Sequence, residues 1–367
     1  MSEQPITTPS TSQPVIPRKY LFAFIIVTSL FALWGFANDI TNPMVAAFKN
    51  ILLISNFESS LVQAAFYGGY CFMAIPAALF ITRFSYKAGL LMGLALYAAG
   101  CLLFVPAGGM VAFWLFLVAY FVMTCGLSFL ETSANPYILS MGDPSTSTRR
   151  LNFAQAFNPL GSITGMLIAR NLILAKIDST SEADRRVLSE ENPEAFAAIQ
   201  QSDLDIIVGP YVVLGVVVLA ILIVFALVKL PGTSSGDIKT AVMPTIKRLI
   251  ARPHYVWGVV AQAFYVGAQI MCWTFVIQYG MNELNMTAAS AQSYNIWAMG
   301  IFVSSRFICT YLLKFFNPGS LLSGLAIGGG VLTLGAIFLT GMPGLYALIG
   351  VSACMSLMFP PIYGIAL

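Results

Sequence analysis

The sequence predicts an all-α integral membrane protein of about ten transmembrane helices, on three observations: its composition, its long apolar runs and the placement of its basic residues. Of 367 residues, 58% are hydrophobic and 9% charged, with a mean hydropathy of +0.82. That is too little polar surface to cover a water-soluble globule of this size, so the solvent is lipid. The apolar runs approach the roughly 20 residues that a helix rising about 1.5 Å per residue needs to cross about 30 Å of hydrocarbon. They fall at 20–40, 60–82, 88–105, 111–141, 152–174, 206–228, 255–279, 288–313, 320–340 and 344–367.

Arg18 and Lys19, Arg83 and Lys87, Arg149 and Arg150, the cluster from Lys229 to Arg252, and Lys314 occupy alternate connections. The positive-inside rule then places the N-terminus in the cytoplasm of a multi-pass cell-membrane protein, an inner-membrane protein in a Gram-negative cell. The net charge of +3 carries no nucleic-acid signal, because the basic residues serve topology. The connection after the fifth span, 175–205, is rich in Asp and Glu and reads as an external, solvated cap, partly helical.

Four regions follow. Residues 1–19 are a disordered cytoplasmic tail, 20–229 a six-helix bundle, 230–254 a cytoplasmic linker and 255–367 a second bundle. The stretches 83–93 and 314–324 echo one another as basic, aromatic, tight-turn connections. Such duplication is how many transporters form a site between halves. Six cysteines, all within apolar segments and without metal spacing, read as free thiols.

Polar groups inside spans mark the chemistry, since each costs several kcal/mol in hydrocarbon unless it is paired or faces water. The first span carries Asn38, Asp39 and Asn42 before Pro43. In a regular helix Asn38 and Asn42 share a face and Asp39 points about 100° from Asn38. Asp39 then either reaches a cavity through local unwinding or is tied to a neighbouring helix. Glu131 lies deep in the fourth span, one turn before Asn135-Pro136. An acid there is either a proton carrier, alternately enclosed and wet, or a neutral acid held in a structural hydrogen bond. The fifth span presents Asn152, Gln155 and Asn158, and the seventh Gln262, Tyr265, Gln269 and Trp273. Each amide either binds solute hydroxyls or joins helices, and each aromatic is site, packing or interfacial belt. Gly89 to Gly93 and Gly161 to Gly165 have the spacing of close helix packing.

A membrane-embedded enzyme would need a reactive set. With His254 the only histidine, and no protease context around the two in-span acids, none is present.

The blocks FALWGFAN at 31–38, QAAFYGGY at 63–70, FSYKAG at 84–89, LETSANP at 130–136, RLNFAQAFN at 150–158 and YVGAQ at 265–269 resemble the fucose:proton symporter family of the major facilitator superfamily. The resemblance implies a major facilitator fold of two bundles with the last two of twelve helices missing. It also implies a central cavity and import of a monosaccharide such as fucose, galactose or glucose by proton symport. Glu131 maps onto the family's functional acid and Gln155 onto its site glutamine. The family's first-span acid maps onto Asn42, while the acid here is Asp39, and a tyrosine of the tenth span is here Phe359. On this reading Glu131 and Asp39 couple protons. Asn38, Asn42, Gln155, Asn158, Gln269, Tyr265, Trp273 and Phe359 bind the sugar. The partners are a monosaccharide and membrane lipids; there is no nucleic acid and no cofactor beyond the coupling ion, and the protein is a monomer. The remaining alternatives are a facilitative or sodium-coupled carrier and a transport-dead sugar sensor.

Overall fold

The computed structural model describes residues 14–178, 180–231, 242–286 and 288–366. Most of the tail expected to be disordered, and the middle of the linker, lie outside the described residues. Every regular element among the described residues is helical.

The first half runs α1 (Leu21–Thr41), α2 (Met44–Leu52), α3 (Asn56–Arg83), α4 (Tyr86–Leu102) with its continuation α5 (Phe104–Gly109), and α6 (Phe113–Ser140). The fifth span is broken into α7 (Ser147–Gln155), α8 (Asn158–Ile168) and a π-helical stretch, Ala169–Leu174. Pro159 accounts for the break, because it has no N–H to continue the ladder from α7. A cap helix α9 (Glu182–Glu191) and the long α10 (Pro193–Leu227) complete this half. The second half comprises α11 (Val242–Ile250), α12 (Pro253–Asn282), α13 (Ala288–Leu312), α14 (Pro318–Phe338), α15 (Met342–Met355) and α16 (Phe359–Ala366). Its last break, at 356–358, falls just before Pro360-Pro361.

Eight described helical runs are long and apolar enough to cross a membrane, against the ten spans read from the sequence. The fifth span fails because it is in pieces. The eighth, α13, is 25 residues long but carries several serines, an asparagine and Arg306. Both are the most polar paths, and both line the interface between the halves.

The two echoing connections are helix caps. Ser85 accepts from the Ala88 N–H at 3.0 Å to start α4, and Asn317 accepts from the Gly319 N–H at 2.9 Å to start α14. Lys87 Nζ donates to the carbonyls of Ala226 and Val228 at 2.9 and 2.8 Å, closing the C-terminal end of α10. The small-residue spacing acts as packing. A Cβ on Gly161 would collide with the Ala32 carbonyl and one on Gly165 with the Phe36 carbonyl, so α8 lies directly on α1.

Helices α1 to α10 enclose one continuous apolar core, running from Phe24 and Phe31 through Phe48, Tyr97 and Tyr120 to Tyr211. The second half holds two smaller clusters, around Tyr265, Phe302 and Met355 and around Val276, Ala298 and Leu345. The halves meet chiefly where α7 and α8 touch α13 and α16. That is the end bearing Arg149 and Arg150, called here the basic end.

The acidic segment is more than a solvated cap. Arg185 is 1% exposed and ion-paired to Asp203 at 2.5 Å, with Asp178 at 3.8 Å. Lys49 reaches over from α2 to Glu182 at 3.1 Å, fastening α9 to the first half.

Candidate functional site

Between the two halves lies a cavity of about 310 Å³. From the first half it is lined by Phe31, Trp34, Asn38 and Asp39 of α1, Tyr67 and Tyr70 of α3, Glu131 of α6, and Gln155, Asn158 and Ser162 around the α7–α8 break. From the second half it receives Tyr265, Gln269 and Trp273 of α12, Phe302 and Arg306 of α13, and Phe359 of α16. Every residue assigned from the sequence to the proton or the sugar borders it except Asn42.

The exception corrects the helical-wheel argument. Helix α1 is α-helical to Thr41, so no unwinding is needed to bring Asp39 to the cavity, where it stands beside Asn38. Asn42 falls beyond the helix end and is exposed. Its amide donates to Asp39 Oδ1 at 3.2 Å, and its oxygen accepts from Gln63 Nε2 at 3.1 Å. Asn42 thus holds the acid from behind; it is not part of the cavity wall.

Hydrogen bonds sort the remaining polar residues. Gln155 Nε2 donates to Asn135 Oδ1 at 3.0 Å, and Asn158 Nδ2 donates to the Phe31 carbonyl at 3.2 Å. Tyr265 OH donates to the Met355 carbonyl at 3.0 Å, and Trp273 Nε1 to Ser352 Oγ at 3.1 Å. These four groups are fixed by the protein, and they present ring faces and the rest of their polar capacity to the cavity. Gln269 and Glu131 have no hydrogen-bond partner among the described residues, so their capacity is open to water or solute. Near Glu131 lies Tyr70, whose buried hydroxyl also has no partner among the described residues. Trp34 and Tyr70 stack with ring centroids 6.4 Å apart, and Trp273 meets Phe302 edge-on at 5.3 Å, so the two aromatic walls are held rigidly.

Asn152 and Gln262, read with these stripes, stay outside the cavity. Asn152 Nδ2 bonds Thr310 Oγ1 at 2.5 Å across the halves, and both polar atoms of Gln262 are buried without a partner among the described residues. Sequence reasoning missed Arg306, which is 4% exposed. The signal was available: one charge in the middle of the eighth span is as costly as an acid and equally a site marker. Tyr67 and Tyr70 stood in the QAAFYGGY block but carried no chemical signal by themselves.

The Major Facilitator Superfamily description matches residues 22–367. An L-fucose-proton symporter of Haemophilus influenzae is 53% identical over 360 residues, covering 96% of this chain and 83% of the relative. A glucose/galactose transporter of Brucella abortus is 28% identical over 368 residues, covering 100% of this chain and 84% of the relative. The crystal structure of a major facilitator transporter in the outward conformation superposes with a TM-score of 0.86 at 36% identity, covering 95% of this chain and 84% of that one.

Proposed function

We propose that this chain, which belongs to the major facilitator superfamily and within it to the fucose:proton symporters, imports a monosaccharide together with a proton by alternating access, as a monomer with its N-terminus in the cytoplasm. One observation carries the reading. Two carboxyls, Asp39 and Glu131, open onto a sugar-sized cavity, and neither is ion-paired to any described residue. An acid held so in a membrane protein exchanges a proton with whichever side wets it. Opposite them, Trp273 and Tyr265 offer the flat apolar faces that a sugar's C–H surface covers, and Gln269 offers a donor and an acceptor for its hydroxyls.

The basic end is closed by contacts of α7 and α8 with α13 and α16, which fits an outward-facing state like that of the superposed transporter. Solute and proton enter from the acidic end, the halves rock, and both leave at the basic end. Proton and sugar are linked because each favours the same rearrangement. The hexose is one of the fucose, galactose and glucose type; Phe359 offers no hydroxyl to it.

Proteoliposomes loaded at pH 7.5 and diluted to pH 5.5 test this with labelled L-fucose, D-galactose and D-glucose. One of the three should accumulate and be released by a protonophore, with no dependence on sodium. Uptake that equilibrates but never exceeds the outside concentration would make the protein a facilitative carrier, and binding without exchange would make it a sensor.

A further inference from the structure

We propose that Arg306 is a positioning residue that pins two proline-broken helices, one from each half, and so holds the basic end of the cavity shut; the proposal rests on the transport reading above. In an α-helix the N–H of residue i bonds the carbonyl of residue i−4. Pro159 has no N–H, so the Gln155 carbonyl at the end of α7 is orphaned. Pro360 does the same to the Ser356 carbonyl between α15 and α16. Arg306 supplies both missing donors: Nη1 bonds the Gln155 carbonyl at 3.0 Å and Nε bonds the Ser356 carbonyl at 2.5 Å. The guanidinium is a rigid planar fork with five N–H donors, which suits two fixed acceptors as an ammonium does not. Its face lies on the Phe302 ring, 4.7 Å from the centroid, and no acidic group is ion-paired to it among the described residues. The cation is committed to backbone.

The two bonds are not equivalent. Ser356 belongs to the same half as Arg306, whereas Gln155 belongs to the other. The seam around them is reinforced: Asn152 Nδ2 bonds Thr310 Oγ1, and Thr310 Oγ1 donates to the Arg306 carbonyl at 2.7 Å. Opening the basic end must therefore break the Arg306–Gln155 bond while the Arg306–Ser356 bond can travel with the second half. Gln155 is also the residue whose side chain borders the cavity and bonds Asn135. One residue thus carries a cavity amide at its tip and the latch at its backbone. A solute that pulls on the amide shifts the carbonyl that Arg306 holds.

The test needs no sugar in its first arm. Hydrogen exchange is measured on the intact protein in lipid nanodiscs, and Arg306→Gln should exchange about tenfold faster over 147–156 and 352–358, with α4 unchanged. Native protection over both stretches would overturn the proposal. In proteoliposome counterflow the same variant should lose about tenfold in maximal rate with its KM within about twofold, because the latch governs the states and not the grip. Arg306→Lys should not restore either readout; full restoration would mean that charge alone matters and the fork does not. Pro159→Ala returns an intrahelical donor to the Gln155 carbonyl, so the Arg306→Gln/Pro159→Ala double variant should regain protection over 147–156. If Arg306→Gln does not fold, recovery of folding in the double variant supports the pin and continued misfolding overturns it. Wild-type protein that moves no sugar would end the transport reading, and the sugar-free exchange arm would still decide the role of Arg306.

Discussion

The two halves bring opposite chemistry to one cavity. From the first come both carboxyls, Asp39 and Glu131, and from the second come the cation Arg306 and the free amide Gln269. The asymmetry runs through the sequence, because Glu283 is the only acidic residue after position 255. Both carboxyls of the cavity therefore sit on one side, framed by the continuous core of α1 to α10, and the second side supplies shape, aromatic faces and the latch. A proton added at a cavity carboxyl alters the relation of the first half to a second half that brings no acid to the cavity. That division of labour can be broken experimentally, starting with the acid.

Glu131→Gln should erase accumulation. A potential of 100 mV supplies about 2.3 kcal/mol per charge moved, roughly a fiftyfold concentration ratio, and the variant should fall to a ratio of about one. Counterflow should survive, since Gln keeps the shape and a hydrogen-bonding tip without the proton. Accumulation by the variant, measured against a pH gradient, would move the proton site elsewhere and dissolve the contrast between the halves.

A smaller effect is expected on the other side. Gln269→Ala removes the second-half amide that no described residue bonds, and one neutral hydrogen bond of about 1–1.5 kcal/mol corresponds to roughly a tenfold rise in KM. The accumulation ratio at saturating sugar should not change. If Gln269→Ala uncouples transport while Glu131→Gln does not, the assignments of the two halves are reversed.

How much of this was legible in the sequence depends on what each residue's role required. Glu131 was legible because its cost in a membrane is a property of the residue itself, and Asp39 for the same reason, though its route into the cavity was not. Asn42 was assigned to the sugar because it shares a face with Asn38 and matches the family's first-span acid; it lies one turn beyond Asn38, at the C-cap of α1, where its side chain bonds Asp39 and Gln63. The amides of Gln155 and Asn158 face the cavity and also join helices, two roles that had been set against each other. Arg306 needed pairs of residues far apart in sequence: its acceptors are explained by Pro159 and Pro360, which sequence shows, but only packing brings both to one guanidinium. The buried Arg185–Asp203 pair was hidden inside a run of charges that by composition alone suggested solvated surface.

The weakest effect expected from the same asymmetry concerns acid and the cap. Asp178 is held below its ordinary value of 3.8, first by hydrogen bonding to Thr180, whose backbone N–H lies 2.8 Å from Oδ1. Glu182 is held below 4.5 by Arg186 and then Lys49. Both groups are depressed by folding, so their contribution is complete above their unfolded values and is lost as pH falls through the lower folded ones. Both side chains face solvent, so the contribution is screened and modest. Hydrogen exchange of α9, corrected for the intrinsic rate at each pH, should be constant from pH 7 to 5 and rise several-fold between about pH 4 and 3. Helices α12 to α16 contain no Asp or Glu and should keep their protection between about pH 4 and 3. Loosening of α9 already between pH 7 and 5 would show that the cap is governed by something other than these carboxylates. Loosening of the second half in step with α9 would show that the two halves respond to acid as one body and not as an acidic half beside a silent one.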